Sequence, residues 1–280
     1  MSQPFTARML ASMNLLFDPL FQVPLAVGLL ASLLLPLLGC LLHAREEWLA
    51  ALGIAHITAA VQLLGATVEL SLLASGGLGA IVAVIAKYSF SQQGNLGYGL
   101  LMLMGWAILY LVAANSSLGE SLAHALSDGQ IFLVGKEQLI AMIVVAISFL
   151  ACLPWWSKRL LRARFFVGYE QANKLSAWRW HGSFDLLAAL LLAFSTAALG
   201  LMASFALVLL PAWAVFTWTN TWRSALIASV MLGVASYMTA FVLALQYDQP
   251  FAPVQVAVLL VMAILLRSIM PPILKIRKTA

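Results

Sequence analysis

FDLLAALLLAFSTAALGLMASFALVLLPAWAVFTW, residues 184–218, runs for 35 residues with one charged side chain, Asp185. As a single straight helix it would reach about 52 Å at 1.5 Å per residue. A bilayer offers only about 30 Å of hydrocarbon. The stretch is therefore expected to break near Gly200 to Ser204, with Gly200 and Pro211 bracketing the break, and to make two spans, the second short. The whole chain shares its character: 63% hydrophobic residues, 9% charged and a mean hydropathy of +0.99. A soluble domain carries about 25% charged residues, so water is not the main solvent. With no water in hydrocarbon, backbone amides must pair within each segment, which predicts an all-α, polytopic integral membrane helix bundle.

Outward from that block, apolar runs recur along all 280 residues with no soluble domain or internal repeat between them. They cover residues 22–42, Trp48 to Val68, Leu70 to Ala86 and 97–114. After a polar stretch, NSSLGESLAHALSDGQIFLVGKEQ, read as a loop with a re-entrant or interfacial piece, a fifth run ends at SKRLLRARF. Beyond the long block lie Ala225 to Leu245 and Val254 to Leu274, the last ended by Pro271–Pro272, since proline lacks the amide donor. The count is about nine transmembrane helices, eight to ten, in one domain spanning 1–280.

The charges fix a polarity. With the Arg45 loop placed in the cytoplasm, alternation puts Arg45, Lys87, the collar from Lys158 to Arg179, Arg223, Arg267 and the Lys275–Lys278 tail on the cytosolic side. Only Arg8 and Lys136 fall outside, as the positive-inside rule expects. The N-terminus is then outside and the C-terminus cytosolic. A nucleic-acid footprint would want one continuous basic face, so the net charge of +5 is not read that way. Cys40 and Cys152 lie in apolar runs and read as small buried hydrophobes. The first 20 residues lack the compact apolar stretch of a signal peptide.

Several stretches resemble one family. GYEQANKLSAWRWHGSFDLL, from Gly168, is similar to the cytosolic segment of bacterial divalent-metal ABC-transporter permeases, the membrane subunits of zinc, manganese and iron importers. Glu170 and Ala172 match its pattern, Ser176 stands at a usual Gly, and Gly168 replaces a usual Asp. Gly200 is followed eleven positions on by Pro211–Ala212, and ALQYDQPFAP matches at Asp248, Pro250 and Pro253, with Ala244 and Ala252 replacing Ser and Gly. GCLLHAREEWLAALGIAH, Gly39 to His56, aligns without gaps, and DGQIF occurs at Asp128 to Phe132.

The resemblance implies a permease of the bacterial inner membrane, acting as a homodimer. It implies two cytosolic ATP-binding cassette ATPases, a periplasmic substrate-binding protein and membrane lipid as partners, with no nucleic acid. The chain would bind no cofactor of its own; a divalent metal would be its cargo. Within 165–180, an amphipathic helix from Phe166 to Trp178 would seat in the ATPase through Gly168, Tyr169, Glu170, Gln171, Ala172 and Lys174. The competing reading is a solvated interfacial helix anchored by Trp178 and Trp180.

Ionisable groups inside a bilayer are costly and mark function by default. His56 lies about 12 Å along its helix from Trp48, and imidazole suits borderline metals. In the resembling family an Asp four residues earlier shares its face; here that position is Leu52, and Ala55 replaces a Ser. Three readings stay open: contact with passing metal, a core histidine bonded to a neighbouring helix, or cargo that is a chelate or other solute. Glu69, at the outer end of the second span, is a vestibule carboxylate or a solvated helix end. Asp185 reads as a helix-dipole partner. His43 reads as interfacial, His181 as part of a polar turn, and His124 and Asp128 as a surface pair on one face. Met102, Met104, Met202 and Met231 read as lipid or core packing rather than a soft-metal ladder.

No phosphate loop with Lys-Ser or Lys-Thr occurs, so ATP hydrolysis is expected from a partner and the chain itself is not an enzyme. A secondary transporter would want intramembrane acids, which the span interiors lack. A membrane enzyme would need His56, Glu69 and Asp248 to converge by folding.

Overall fold

The computed structural model describes residues 18–279 apart from 91–92, 117–123, 125, 127–128, 130, 167–171 and 174–176. Among these residues there are nine α-helices and no strand. They are α1 (Pro19–Ala44), α2 (Trp48–Thr67), α3 (Leu72–Phe90), α4 (Asn95–Ala114), α5 (Lys136–Phe165), α6 (Ala177–Leu199), α7 (Leu201–Val215), α8 (Trp222–Tyr247) and α9 (Phe251–Thr279). A 3-10 turn, Ile131–Leu133, precedes α5. Eight of the helices are long and apolar enough to cross a membrane. The protein is an all-α, polytopic membrane bundle.

The 35-residue block breaks where expected. Gly200 has φ 89° and ψ 161°, a backbone state open to glycine alone. Its amide closes α6 on the Thr196 carbonyl, and its carbonyl opens α7 by accepting from Ser204. Pro211 takes no part in the break; it lies inside α7. At 15 residues α7 is only about 22 Å long. So short an element is tolerated at membrane depth where protein surrounds it, and α7 packs against α9, α1, α8 and α6.

Three boundaries differ from the sequence reading. The fifth span is continued as helix through Pro154 and the basic SKRLLRAR run to Phe165. Thirty residues make about 45 Å, so one end projects past the hydrocarbon. His181 and Gly182 belong to no turn but to α6, which begins at Ala177. Pro271–Pro272 does not end α9, which continues to Thr279; the carbonyls the two prolines leave free are those of Arg267 and Ser268, in the last turn of the membrane-length part that stops at Met270, at the edge of the span. Of the expected outer-loop piece only isolated residues and the 3-10 turn are described.

Contacts tie the cation-bearing helix ends together. The His43 ring stacks on Phe216 with centroids 4.6 Å apart. Arg267 donates to the Trp213 carbonyl at 2.8 Å, and Arg164 pairs with Glu46. The key group lies nearby. Arg45 donates to Glu47 at 2.9 Å and to Asp185 at 3.1 Å, while Lys87 donates to the same two carboxylates at 2.9 and 2.6 Å. The Asp185 side chain is 2% exposed, Lys87 4% and Arg45 8%. Burial disfavours the Arg45 charge, but Asp185 and then Glu47 outweigh it and hold the guanidinium above its ordinary pKa. Phe184 covers the Arg45 guanidinium at 4.8 Å from its ring centre.

Asp185 is thus a correction: it stands past the first turn of α6, beyond the reach of the helix dipole, and is held by ion pairs. Removing one partner of a buried pair strands the other charge, at a cost of about 3–5 kcal/mol. Asp185→Asn is expected to lower the unfolding temperature of the detergent-purified protein by several degrees. Adding Lys87→Met, which removes the stranded cation, is expected to recover most of the loss; a double variant less stable than the single would disprove the account.

Candidate functional site

α2 carries His56 at 8% exposure, on the wall of a cavity of about 580 Å³. The cavity is lined by Leu52 and His56 from α2, Met102, Trp106, Leu109 and Tyr110 from α4, and Leu201, Met202 and Phe205 from α7, with His124 from the chain between α4 and α5. His56 Nδ1 lies 2.8 Å from the Leu52 carbonyl of its own helix. A carbonyl only accepts, so Nδ1 carries the proton and Nε2 keeps its lone pair. Bonding to a neighbouring helix, one of the three readings of His56, is therefore not what fixes the ring. Thr58 likewise donates within α2, to Ala55 at 2.9 Å.

α4 reaches this wall because of Gly105. A Cβ there would lie 2.6 Å from the His56 carbonyl carbon and 2.8 Å from the Ile57 amide nitrogen. With hydrogen alone at that point, α4 presses on the backbone of α2 at the histidine, and Met102, Trp106, Leu109 and Tyr110 face the cavity. Met102, Met202 and His124 are residues that the sequence reading assigned to packing or surface. Nothing local in the sequence marks them as lining residues, because their placement depends on how α2, α4 and α7 meet.

Glu69 does not line the cavity. It sits exposed at the end of α2 with φ 59°. The Leu70 amide donates to Gly65 at 2.9 Å and the Glu69 amide to Ala66 at 3.2 Å, the left-handed closure normally made by glycine. Asp248 does the same for α8, with φ 51° and the Gln249 amide on the Ala244 carbonyl at 3.0 Å. His56, Glu69 and Asp248 are therefore on separate features, and the fold assembles no enzyme site from them. Pro250 is exposed in the turn after Asp248, and Pro253 occupies the first turn of α9, where its missing donor costs nothing.

Of the expected ATPase-facing residues, Gly168, Tyr169, Glu170, Gln171 and Lys174 lie outside the described residues, as does Asp128; Ala172 is described and exposed. A hollow of about 280 Å³ is lined by Arg45, Glu47, Arg164 and His181 among others. Among the described residues no three His, Cys, Asp or Glu side chains converge to hold a metal ion.

A family model described as the ABC 3 transport family matches residues 17–270. Among solved structures, PsaBC from Streptococcus pneumoniae in complex with Fab superposes with a TM-score of 0.82 at 14% identity, over 95% of this chain and 97% of that one. A protein described as a metal-chelate type ABC transporter, in an inward-facing conformation, gives 0.62 at 16% identity, over 90% and 83%. At those identities the likeness is one of fold. No curated protein matches by sequence.

Gly105→Ala is expected to force α4 off α2 and lower stability by roughly 1–3 kcal/mol. Gly99→Ala on the same helix meets nothing within 4 Å, and should be neutral or gain up to about 1 kcal/mol; equal effects in thermal unfolding would refute the contact. Glu69→Gly relieves a left-handed residue and is expected to stabilise by about 1 kcal/mol. Its transport should be unchanged, and a fall in uptake would return Glu69 to the path.

Proposed function

The chain belongs to the ABC 3 transport family, and from that premise we propose that it is the membrane permease subunit of an ATP-driven importer for a divalent metal ion or metal complex. The observation that carries the cargo is His56: a buried imidazole with its tautomer fixed by Leu52 and its Nε2 lone pair free, on the wall of a cavity that α2, α4 and α7 line. Such a nitrogen is a metal ligand by its chemistry. The printed description of one structural neighbour as a metal-chelate type transporter supports extending the cargo to complexes.

The engine is a pair of cytosolic ATP-binding cassette ATPases docking at the basic end. A second permease copy completes the path, and a periplasmic binding protein delivers cargo to the opposite end. The membrane is the bacterial inner membrane, with the N-terminus outside and the C-terminus cytosolic; the gathering of Arg45, Lys87, Arg164 and Arg267 at one end of the bundle supports that orientation. Coupling runs from the segment at 168–174 into α6. Asp185 of α6 holds Arg45 and Lys87, both bind Glu47, and Glu47 opens the helix that carries His56. A rigid-body push at the start of α6 thereby reaches the cavity wall.

The permease, co-reconstituted in proteoliposomes with its ATPase and binding protein, is expected to accumulate metal only when ATP is supplied on the ATPase side. His56→Ala should reduce uptake on the order of tenfold, equivalent to about 1.4 kcal/mol of binding. Accumulation driven by a pH gradient without ATP would reject the reading.

A further inference from the structure

Polar and close backbone contacts inside the bundle sort the helices into two sets. In one, Gln62 of α2 donates to the Ala193 carbonyl of α6 at 3.1 Å, and Lys87 of α3 reaches Asp185 of α6. α4 joins this set at Gly53 of α2, where a Cβ would lie 2.9 Å from the Tyr98 carbonyl oxygen, and again at Gly105. In the other set, Cys40 of α1 and Ser229 of α8 hydrogen-bond at 3.2 Å. The Tyr237 hydroxyl of α8 donates to the Pro24 carbonyl of α1 at 3.2 Å, and Gln255 of α9 donates to Ser236 of α8 at 3.1 Å. α7 joins through Arg267 of α9, which holds the Trp213 carbonyl, and through Gly39 of α1, whose bare Cα lets the Val208 backbone approach. Packing follows the same division: α2, α3, α4 and α6 lie mainly against one another, as do α1, α7, α8 and α9. α5 is shared. It lies along both α1 and α6, with the Trp156 indole donating to Ser183 at 3.4 Å.

The seam between the sets is of another kind. Leu201 of α7 shares an apolar cluster with Ala55, Ala59 and Leu63 of α2. Surfaces of that sort meet in lipid by van der Waals contact alone, whereas hydrogen bonds and close backbone approach fix a geometry. Two polar contacts that cross, Arg45 with Asp185 and Glu46 with Arg164 of the shared α5, both start from the three residues connecting α1 to α2. The main chain passes from one set to the other at that connection and at Gly200. Each of these crossings holds a residue of positive φ, Glu46 at 59° and Gly200 at 89°. No helix runs through either, so a rotation can be absorbed there by a few dihedral angles. The 580 Å³ cavity lies on the seam, with Leu52, His56 and Met102 from one set and Leu201, Met202 and Phe205 from the other. The 280 Å³ hollow lies there too, lined by Ala44 at the end of α1 and by Trp180 and His181 of α6.

We propose that one chain is built as two rigid bodies, α2, α3, α4 and α6 against α1, α7, α8 and α9, which rotate about Glu46 and Gly200 and so open and close the cavity along the seam. The division into bodies stands on the fold. Only the driving force, a push on α6, rests on the permease reading above. The path then changes width inside each subunit, in addition to any movement of one copy against the other.

The test measures distances between nitroxide labels by pulsed electron paramagnetic resonance, in a chain carrying Cys40→Ser and Cys152→Ala. Labels go on Val68→Cys and Asn115→Cys in one body and on Leu20→Cys and Gln249→Cys in the other, all exposed positions at helix ends. Labelled chain is diluted with unlabelled chain, so that only distances within a subunit are read. The same four positions give two distances within bodies, Val68 to Asn115 and Leu20 to Gln249, and two across the seam, Val68 to Gln249 and Asn115 to Leu20. Label mobility therefore cancels. In proteoliposomes holding the complete transporter, ATP with vanadate is expected to shift both distances across the seam by on the order of 2–5 Å and to leave both distances within bodies in place. Shifts within bodies as large as those across overturn the proposal. So do four unmoved distances with ATP bound, the result expected if whole subunits turn against each other. In the chain purified alone, the distributions across the seam should be broader than those within bodies, and equal widths overturn it. If no ATPase engages the chain the permease reading fails, and this second measurement still decides the proposal.

Discussion

Arg45, Glu47, Lys87 and Asp185 are the charged groups this bundle can least do without. Each of two cations contacts both of two carboxylates within 3.1 Å, with Arg45, Lys87 and Asp185 almost wholly out of water and Glu47 partly exposed, so each satisfies two others. The members come from the α1–α2 connection, from α3 and from α6. None of these helices is held to the others by hydrophobic driving force, because lipid is as apolar as their side chains. The directional part of the packing at this end therefore rests on the ion cluster. The Lys87 ammonium lies 6.0 Å from the centre of the Tyr98 ring, which brings α4 against the same group.

Helix ends show a second regularity. Glu46, Glu69 and Asp248 each take the left-handed conformation that terminates α1, α2 and α8. Glycine would be easier there on steric grounds, and an acid opposes the negative end of the helix dipole. Glu46 offsets this through its pair with Arg164, joining α1 to the projecting end of α5. Glu69 is exposed and performs the turn alone. A carboxylate at the edge of a span is thus explained by the need to stop a helix in polar surroundings, without a ligand.

What the sequence made legible follows from which forces are local. Apolar length and the position of the cations are properties of each segment, so the spans, and the break at Gly200, could be read directly. The run through Pro271–Pro272 could not, because whether a helix survives two lost donors depends on what satisfies the freed carbonyls. Asp185 looked like a dipole partner since its ion-pair partners are 98 and 140 residues away. His56 was visible as an isolated ionisable group, but its tautomer needed the ring's contact with Leu52. The place of Met102 on the cavity wall was not visible either: it depends on α4 lying against α2 at Gly105, a long-range contact that no local pattern reports.

The cluster and the cavity are not independent. Glu47 immediately precedes α2, and His56 lies nine residues further along it, about 14 Å at the helical rise. α2 is mostly buried and packs against α3, α4 and α6 along its length, so it moves as a rod if it moves at all. Displacing α6 must either break the 3.1 Å contact of Asp185 with Arg45 and the 2.6 Å contact with Lys87, or carry the start of α2 with it. The first course exposes two uncompensated charges to low dielectric, whereas the second only slides apolar side chains past one another. Rigid displacement is the cheaper course, and it shifts His56 relative to Met202 on α7, which shares no member of the cluster. A cavity whose walls belong to elements that move differently can change its width without any helix unfolding.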